Sequence, residues 1–206
     1  MAIPSASSKS KKDILDICKE NGIYVLVDET YVEFSEDIHL ITSVPLTQYY
    51  NNIIVLRGIS KFFAAPGLRL GYAVCGNRDL MKSVVGRQDP WSINTLAAVA
   101  GEIMFSDTDY IEATRSLISS ERNRICQKLD QIKDVNYYEP KANFILVKIL
   151  RDDVTADMVF DIAIQKKLMI RDCSDFPFLN NKYFRFCIML PEKNDELLDV
   201  IEDILG

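Results

Sequence analysis

The sequence predicts an α/β layer built on parallel strands, followed by a smaller α+β layer. Three observations predict this order. Apolar, β-rich runs at residues 23–27, 53–56 and 70–75 are bounded by turn residues and read as strands buried on both faces. An amphipathic helix precedes the first run, and helix followed by buried strand points to a parallel sheet covered by helices. In the second half the pattern changes to short strands interleaved with helices, behind one long helix.

The elements follow in chain order. Residues 1–9 are rich in Ser and Lys and read as a frayed start. Ser10-Lys-Lys-Asp opens a helix to about Glu20, with Ile14, Leu15 and Cys18 as its apolar face, and Asn21-Gly22 ends it. The first strand finishes in two acids, Asp28 and Glu29. Asn51-Asn52 precede the second strand, and Gly76-Asn77 stop the third. Helices follow at about 78–85 and 93–105. A long helix at about 108–133 carries Ile111, Ile118, Ile125, Leu129 and Ile132 at helical spacing. Strands are expected at about 135–139, 143–149, 168–171 and 183–189, and helices at about 153–166 and 193–205. The last helix presents Leu197, Leu198, Ile201, Ile204 and Leu205 on one face. The boundary between the two layers is placed in the long helix, giving domains 1–110 and 111–206.

Composition narrows the function classes. The chain has 206 residues, 48% of them apolar and 26% charged, which is ordinary for a globular protein and argues against disorder throughout. A net charge of -6 argues against nucleic acid or an anionic membrane as the main partner. No apolar run reaches the ~18 residues of a membrane span, and residues 1–13 lack the apolar core of a signal peptide. A cytoplasmic chain is expected. The five cysteines are odd in number and form no C-x-x-C pair, so they are read as buried free thiols rather than a zinc or redox motif. His39 is the only histidine and is read as a loop residue, which excludes a metal cluster built on several histidines. No metal site is expected.

Three short segments carry chemistry: Val27-Asp28-Glu29-Thr30-Tyr31, Arg57-Gly58-Ile59-Ser60-Lys61 and Pro66-Gly67-Leu68-Arg69-Leu70-Gly71-Tyr72. Each puts polar residues at the edge of a buried strand, where open α/β sheets bind ligands. Lys61 precedes Phe62 and Phe63. Partial desolvation there would free a nucleophilic amine, and the alternative is a lysine that reaches out to water. Asp28, ending a buried strand, must meet a cation or several donors, or serve as a turn cap. Arg69, flanked by Gly67 and Gly71, suits a phosphate or a nearby acid.

Taken together, Asp-Glu-x-Tyr after a buried strand, Ser-Lys about thirty residues on, and Gly-Leu-Arg-x-Gly-Tyr with eight residues from Lys61 to Arg69 resemble the fold-type I pyridoxal-phosphate enzymes, more narrowly the class I/II aminotransferases. The resemblance runs from about residue 10 to the C-terminus. It implies part of the large domain of the pyridoxal-phosphate-dependent transferase fold, mainly parallel sheet with helices, followed by the small α+β domain. It implies that Lys61 forms the internal aldimine with pyridoxal 5'-phosphate and shuttles the substrate's α-proton. Asp28 would pair with the ring nitrogen, Tyr31 with the phenolic oxygen, and Ser60 and Arg69 with the phosphate. Arg185, in Tyr183-Phe-Arg185-Phe, would clamp the substrate carboxylate, with an exposed strand arginine as the alternative.

Two further stretches, Pro90-Trp91-Ser92-Ile93-Asn94 and Ile170-Arg171-Asp172-Cys173-Ser174-Asp175-Phe176, resemble threonine-phosphate decarboxylases of cobalamin biosynthesis and, next, histidinol-phosphate aminotransferases. Arg171 is then a candidate for a substrate anion, and the substrate an amino acid or phosphorylated amino compound. Two departures stand out. Gly58 replaces the family's usual hydroxyl residue. The upstream glycine-rich phosphate loop, the stacking aromatic and the Asn of an N-P-x-N-P-T-G run would fall at or before Met1, and residues 3–7 do not match the tail of that run. The chain is therefore expected to be a truncated member. It would act either as an aminotransferase or decarboxylase, or as a catalytically weak dimerising remnant, with a homodimer expected in both cases.

Overall fold

The structure, a computed structural model, describes residues 8–206, and side chains from Ser10 onward. The expectation for residues 1–7 falls outside the described residues. Two compact units divide at Ile111 and Glu112.

The first unit opens with α1 (Ser8–Glu20), which begins two residues before Ser10. Three strands follow: β1 (Val25–Asp28), β2 (Ile53–Gly58) and β3 (Gly71–Cys75), in the spatial order β1-β2-β3. β1 and β2 are parallel, with Val25 opposite Ile53 and Asp28 opposite Leu56. β3 runs antiparallel to β2, with Gly58 opposite Gly71, so the expectation of parallel strands holds for only one of the two pairings. The reason lies in the connections. Residues 29–52 are long enough for a crossover, and they carry the short helix α2 (Ile38–Ile41) between two 3₁₀ turns, Val32–Phe34 and Val44–Gln48. Residues 59–70 hold turns and one 3₁₀ turn, Pro66–Leu68, and they return the chain alongside its own strand. His39 lies in α2, exposed, rather than in a loop, because residues 38–41 close one helical turn.

Leu15 of α1 packs with Ile53 and Val55 in a small core ringed by Val25, Val27, Val44, Leu46, Tyr50 and Val74. Asn52 ties the layers, its Nδ2 donating to the carbonyls of Leu15 and Ile23 at 3.0 and 3.3 Å. The strands are not buried on both faces. Leu26 is 62% exposed and Tyr72 41%, while Val25 and Val27 turn inward. Side chains alternate along a strand, and only one side of this sheet is covered. Two helices complete the unit: α3 (Arg78–Val85), capped by the Asn77 carboxamide, and α4 (Thr95–Ser106), capped by Asn94. α4 leaves Leu96, Val99 and Ile103 exposed.

The long helix α5 (Thr108–Leu129) crosses the division between the units. The second unit is an antiparallel sheet of β4 (Val135–Tyr137), β5 (Phe144–Ile149), β6 (Arg171–Asp172) and β7 (Tyr183–Cys187), in the order β4-β5-β7-β6. α6 (Ala156–Gln165) and α7 (Pro191–Leu205) belong to the same unit. Ile125 and Leu129 of α5, Ile145, Val147 and Ile149 of β5, and Leu197, Leu198, Ile201 and Leu205 of α7 are buried, as their periodicities predict. Of the five free cysteines only Cys173 is buried. Cys187 is exposed at the end of β7, and Cys18, Cys75 and Cys126 are half-buried. Among the described residues no helix is long and apolar enough to cross a membrane, and no cluster of His, Cys, Asp or Glu could hold a metal ion.

Candidate functional site

Asp28 is the last residue of β1, and a turn follows it. Its side chain is exposed, and Oδ1 accepts from the Thr30 N–H at 2.9 Å. The expectation of a buried carboxylate is corrected here. β1 has one uncovered face, and Asp28 points to it, so burial does not force a cation upon it. Tyr31 follows in the same turn, half-buried, and the Lys61 Nζ lies 5.7 Å from the centre of its ring. The structure thus brings Lys61, beyond the end of β2, beside the exit of β1.

Lys61 itself is exposed. Its aromatic neighbours do not desolvate it, because they turn away from it. Phe62 is 2% exposed, with ring centres 5.1 Å from Phe34 and 5.2 Å from Phe63. The Tyr110 hydroxyl donates to the Phe62 carbonyl at 2.9 Å. The two phenylalanines anchor the backbone of the turn and leave the lysine amine in the open. Ser60, half-buried, precedes it.

Ala64 and Arg69 both adopt left-handed backbone, with φ of 50° and 55°. Non-glycine residues take this region only where the surroundings impose it. Arg69 is exposed, and its Nη1 donates to the Pro66 carbonyl at 3.0 Å across its own turn. Of the flanking glycines, Gly71 serves the close approach of the paired strand. A Cβ on Gly71 would lie 2.9 Å from the Arg57 carbonyl of the paired strand, and one on Gly67 would meet open space. Asn94, from the Trp91 segment, reaches the same turn, its Nδ2 donating to the Leu68 carbonyl at 3.4 Å. Trp91 is 86% exposed.

Two residues beside this cluster were given no role by sequence reasoning. Glu29, 7% exposed, forms an ion pair with Arg57, which bonds Glu33 as well. Burial alone would lower the Arg57 pKa, but hydrogen bonds to Glu29 and Tyr72 hold it above its usual range. The available signal was an acid beside a buried strand and a guanidinium at the end of the neighbouring strand, since a buried charge needs a partner.

In the second unit, Arg171 and Arg185 are register partners across β6 and β7. Arg171 pairs with Asp175 at 2.5 Å. Arg185 is half-buried, its guanidinium 5.1 Å from the Phe144 ring centre and 5.8 Å from that of Phe176. Among the described residues no carboxylate forms an ion pair with it. Such a cation, near two rings, can take an anion in a bidentate pair.

Known proteins share this sequence and fold. The chain is 34% identical to the threonine-phosphate decarboxylase of Salmonella typhimurium over 192 residues, covering 93% of this chain and 51% of that protein. It is 33% identical to histidinol-phosphate aminotransferase 2 of Archaeoglobus fulgidus over 201 residues, covering 98% of this chain and 55% of that protein. The crystal structure of the histidinol-phosphate aminotransferase from Clostridium acetobutylicum superposes with a TM-score of 0.90 at 28% identity, covering 96% of this chain and 59% of that one. The chain therefore spans about half the length of the curated relatives it matches. Residues 5–201 match the family of class I and II aminotransferases, and by that match, with the Asp28, Lys61 and Arg69 segments all inside it, the chain belongs to this family.

Proposed function

We propose that the chain carries the lysine, cofactor-anchoring and substrate-anchoring residues of a pyridoxal-phosphate-dependent enzyme acting on an amino acid or a phosphorylated amino compound. In this reading, residues 1–110 are the C-terminal part of the large cofactor domain and residues 111–206 the small domain. The observation that carries it is the Lys61 amine beside the Tyr31 ring, three residues past Asp28 at the end of the adjacent parallel strand. The donor chemistry fits the cofactor. An exposed carboxylate suits a ring nitrogen that carries a proton, a phenol suits an anionic ring oxygen, and a hydroxyl with a guanidinium suits a phosphate.

Pyridoxal phosphate, when bound, supplies an electron sink for the charge left at the substrate's Cα. The Asp28 carboxylate would hold the proton on the ring nitrogen, since a nearby opposite charge favours the charged form. The Tyr31 hydroxyl would donate to the ring oxygen. Ser60 Oγ and the Arg69 guanidinium would bind the phosphate. Lys61 Nζ would anchor the cofactor and then shuttle the substrate's α-proton. Arg185 and Arg171 would bind the substrate's anionic groups, and the lack of an ion pair at Arg185 among the described residues supports that role. A decarboxylase reading is kept beside the aminotransferase one, because relatives of both kinds match at similar identity. The exposed apolar residues on the sheet and on α4 support association into a homodimer.

The test is to add pyridoxal phosphate, look for a new absorbance band, and reduce with borohydride before peptide mapping. A band and a label at Lys61, both lost in Lys61→Ala, are expected. A band unchanged by that substitution defeats the assignment. Oxo-acid-linked transamination and carbon dioxide release from phosphothreonine then separate the two reactions. Turnover no faster than free cofactor points to the non-catalytic remnant.

A further inference from the structure

Glu29 and Arg57 each lie one position beyond the register pair Asp28 and Leu56, at the carboxyl ends of the two parallel strands. The Glu29 N–H donates to the Leu56 carbonyl at 2.8 Å, continuing the ladder past the strand. The Glu29 carboxylate then turns inward. It accepts from Arg57 Nε and Nη2 at 3.2 and 3.0 Å, from Thr42 Oγ1 at 2.8 Å and from the Ser43 N–H. Arg57 Nη2 donates also to Thr42 Oγ1 at 2.8 Å, and Nη1 donates to Glu33 Oε1 at 3.1 Å.

One guanidinium thus holds both ends of the segment from Glu29 to Glu33, and Tyr31 is the middle residue of that segment. Arg57 also sits in the strand that leads directly into Ser60 and Lys61. A buried ion pair is a poor device for stability, because removing two charges from water offsets most of their attraction. It does fix geometry, since a planar fork with several donors admits few arrangements. Lysine could not do the same, because its single ammonium cannot satisfy Glu29 through two donors and Glu33 through a third at these positions.

We infer that Arg57 is a positioning residue that clamps the turn bearing Tyr31 at both ends and so sets the Tyr31 ring against the Lys61 amine. The clamp stands on the geometry alone, while its consequence for the cofactor rests on the function proposed above.

The test uses the 206-residue chain with Arg57→Lys, which keeps the charge and removes the fork, and Arg57→Met. Amide hydrogen exchange is followed by mass spectrometry, and pyridoxal phosphate is titrated with borohydride trapping. In Arg57→Lys the amides of residues 30–34 are expected to exchange about tenfold faster, with Ile53–Val55 unchanged, because local opening is distinct from global unfolding. The cofactor concentration for half-maximal labelling at Lys61 is expected to rise about tenfold, as a lost bidentate pair allows. Unchanged exchange at 30–34, or equal acceleration at 53–55, overturns the clamp in favour of a merely structural role. Faster exchange with unaltered half-labelling overturns the positioning role. An unlabelled Lys61 in the parent chain defeats the cofactor reading instead, and the exchange pattern still decides the clamp. If Arg57→Met does not fold, Arg57→Lys carries the comparison.

Discussion

Arg171 and Arg185 stand directly opposite one another across β6 and β7, and both lie against the ring of Phe176. Opposed like charges in a sheet destabilise it, and Asp175 offsets only the Arg171 side. A bound dianion would relieve that repulsion. Millimolar inorganic phosphate should therefore raise the melting temperature of the parent chain and leave Arg185→Met unmoved. Without phosphate the variant should stay within about 1 kcal/mol of the parent, since lost ring contacts offset relieved repulsion. Equal phosphate protection of both proteins would remove Arg185 from the anion site.

Glu121 links two helices of the second unit. It bonds Arg124 on its own helix at 2.8 Å and accepts from the buried Asn194 Nδ2 of α7 at 2.7 Å. The Arg124 hydrogen bonds, with that of Asn194, hold its carboxyl below the usual glutamate range against the opposing effect of burial. A depressed folded-state pKa contributes stability that is complete above the unfolded value of about 4.5 and is lost as pH falls through the folded value. Urea midpoints should thus fall below about pH 4.5, and Glu121→Gln should flatten that slope. Glu121→Ala should cost about 1–3 kcal/mol at pH 7 by stranding the Asn194 amide. An unchanged acid slope in Glu121→Gln would put the linkage elsewhere.

Much of the fold was legible because burial repeats with the local period. α7 shows this best, since Leu197, Leu198, Ile201 and Leu205 fall on one helical stripe and are buried, with Ile204 half-buried. The direction of β3 was not legible, because strand composition reports burial and not the heading of the chain. Length was the usable hint: a 12-residue link without a helix favours an antiparallel return. The open face of β1 was hidden for a related reason, since Val25, Leu26 and Val27 look alike in sequence whichever side is covered. Of the candidate site residues, Asp28, Lys61 and Arg69 stood out as polar residues near strand ends, and Tyr31 only through the family resemblance. Glu29 and Arg57 were missed because their pairing joins positions 28 residues apart and matches no short motif.

The thiols should differ in reactivity. Burial pushes the Cys173 thiol above its usual range despite the nearby arginines, and the thiolate is the reactive form. Cys187 is exposed. Limiting iodoacetamide at pH 8 should alkylate Cys187 well before Cys173, as peptide mapping would read. Early labelling of Cys173 would mean that β6 and its following turn open readily.

Gly76 offers a test of the first unit that touches no candidate site residue. It follows β3, and a Cβ built there would lie 1.9 Å from the Thr47 carbonyl oxygen. That oxygen belongs to the 3₁₀ turn Val44–Gln48 in the link between β1 and β2, so backbone must move if a methyl group is added. Both segments are held: Asn77 Nδ2 donates to the Asn51 carbonyl at 3.0 Å, and Tyr50 N–H donates to the Leu46 carbonyl at 2.9 Å. Gly76→Ala should therefore destabilise the chain by about 1–3 kcal/mol, the usual cost of overpacking. Gly67→Ala meets open space and serves as the control, expected within about 0.5 kcal/mol of the parent. Chemical denaturation of both variants decides it, and equal stability would mean that the β3 exit does not pack on the 44–48 turn in solution.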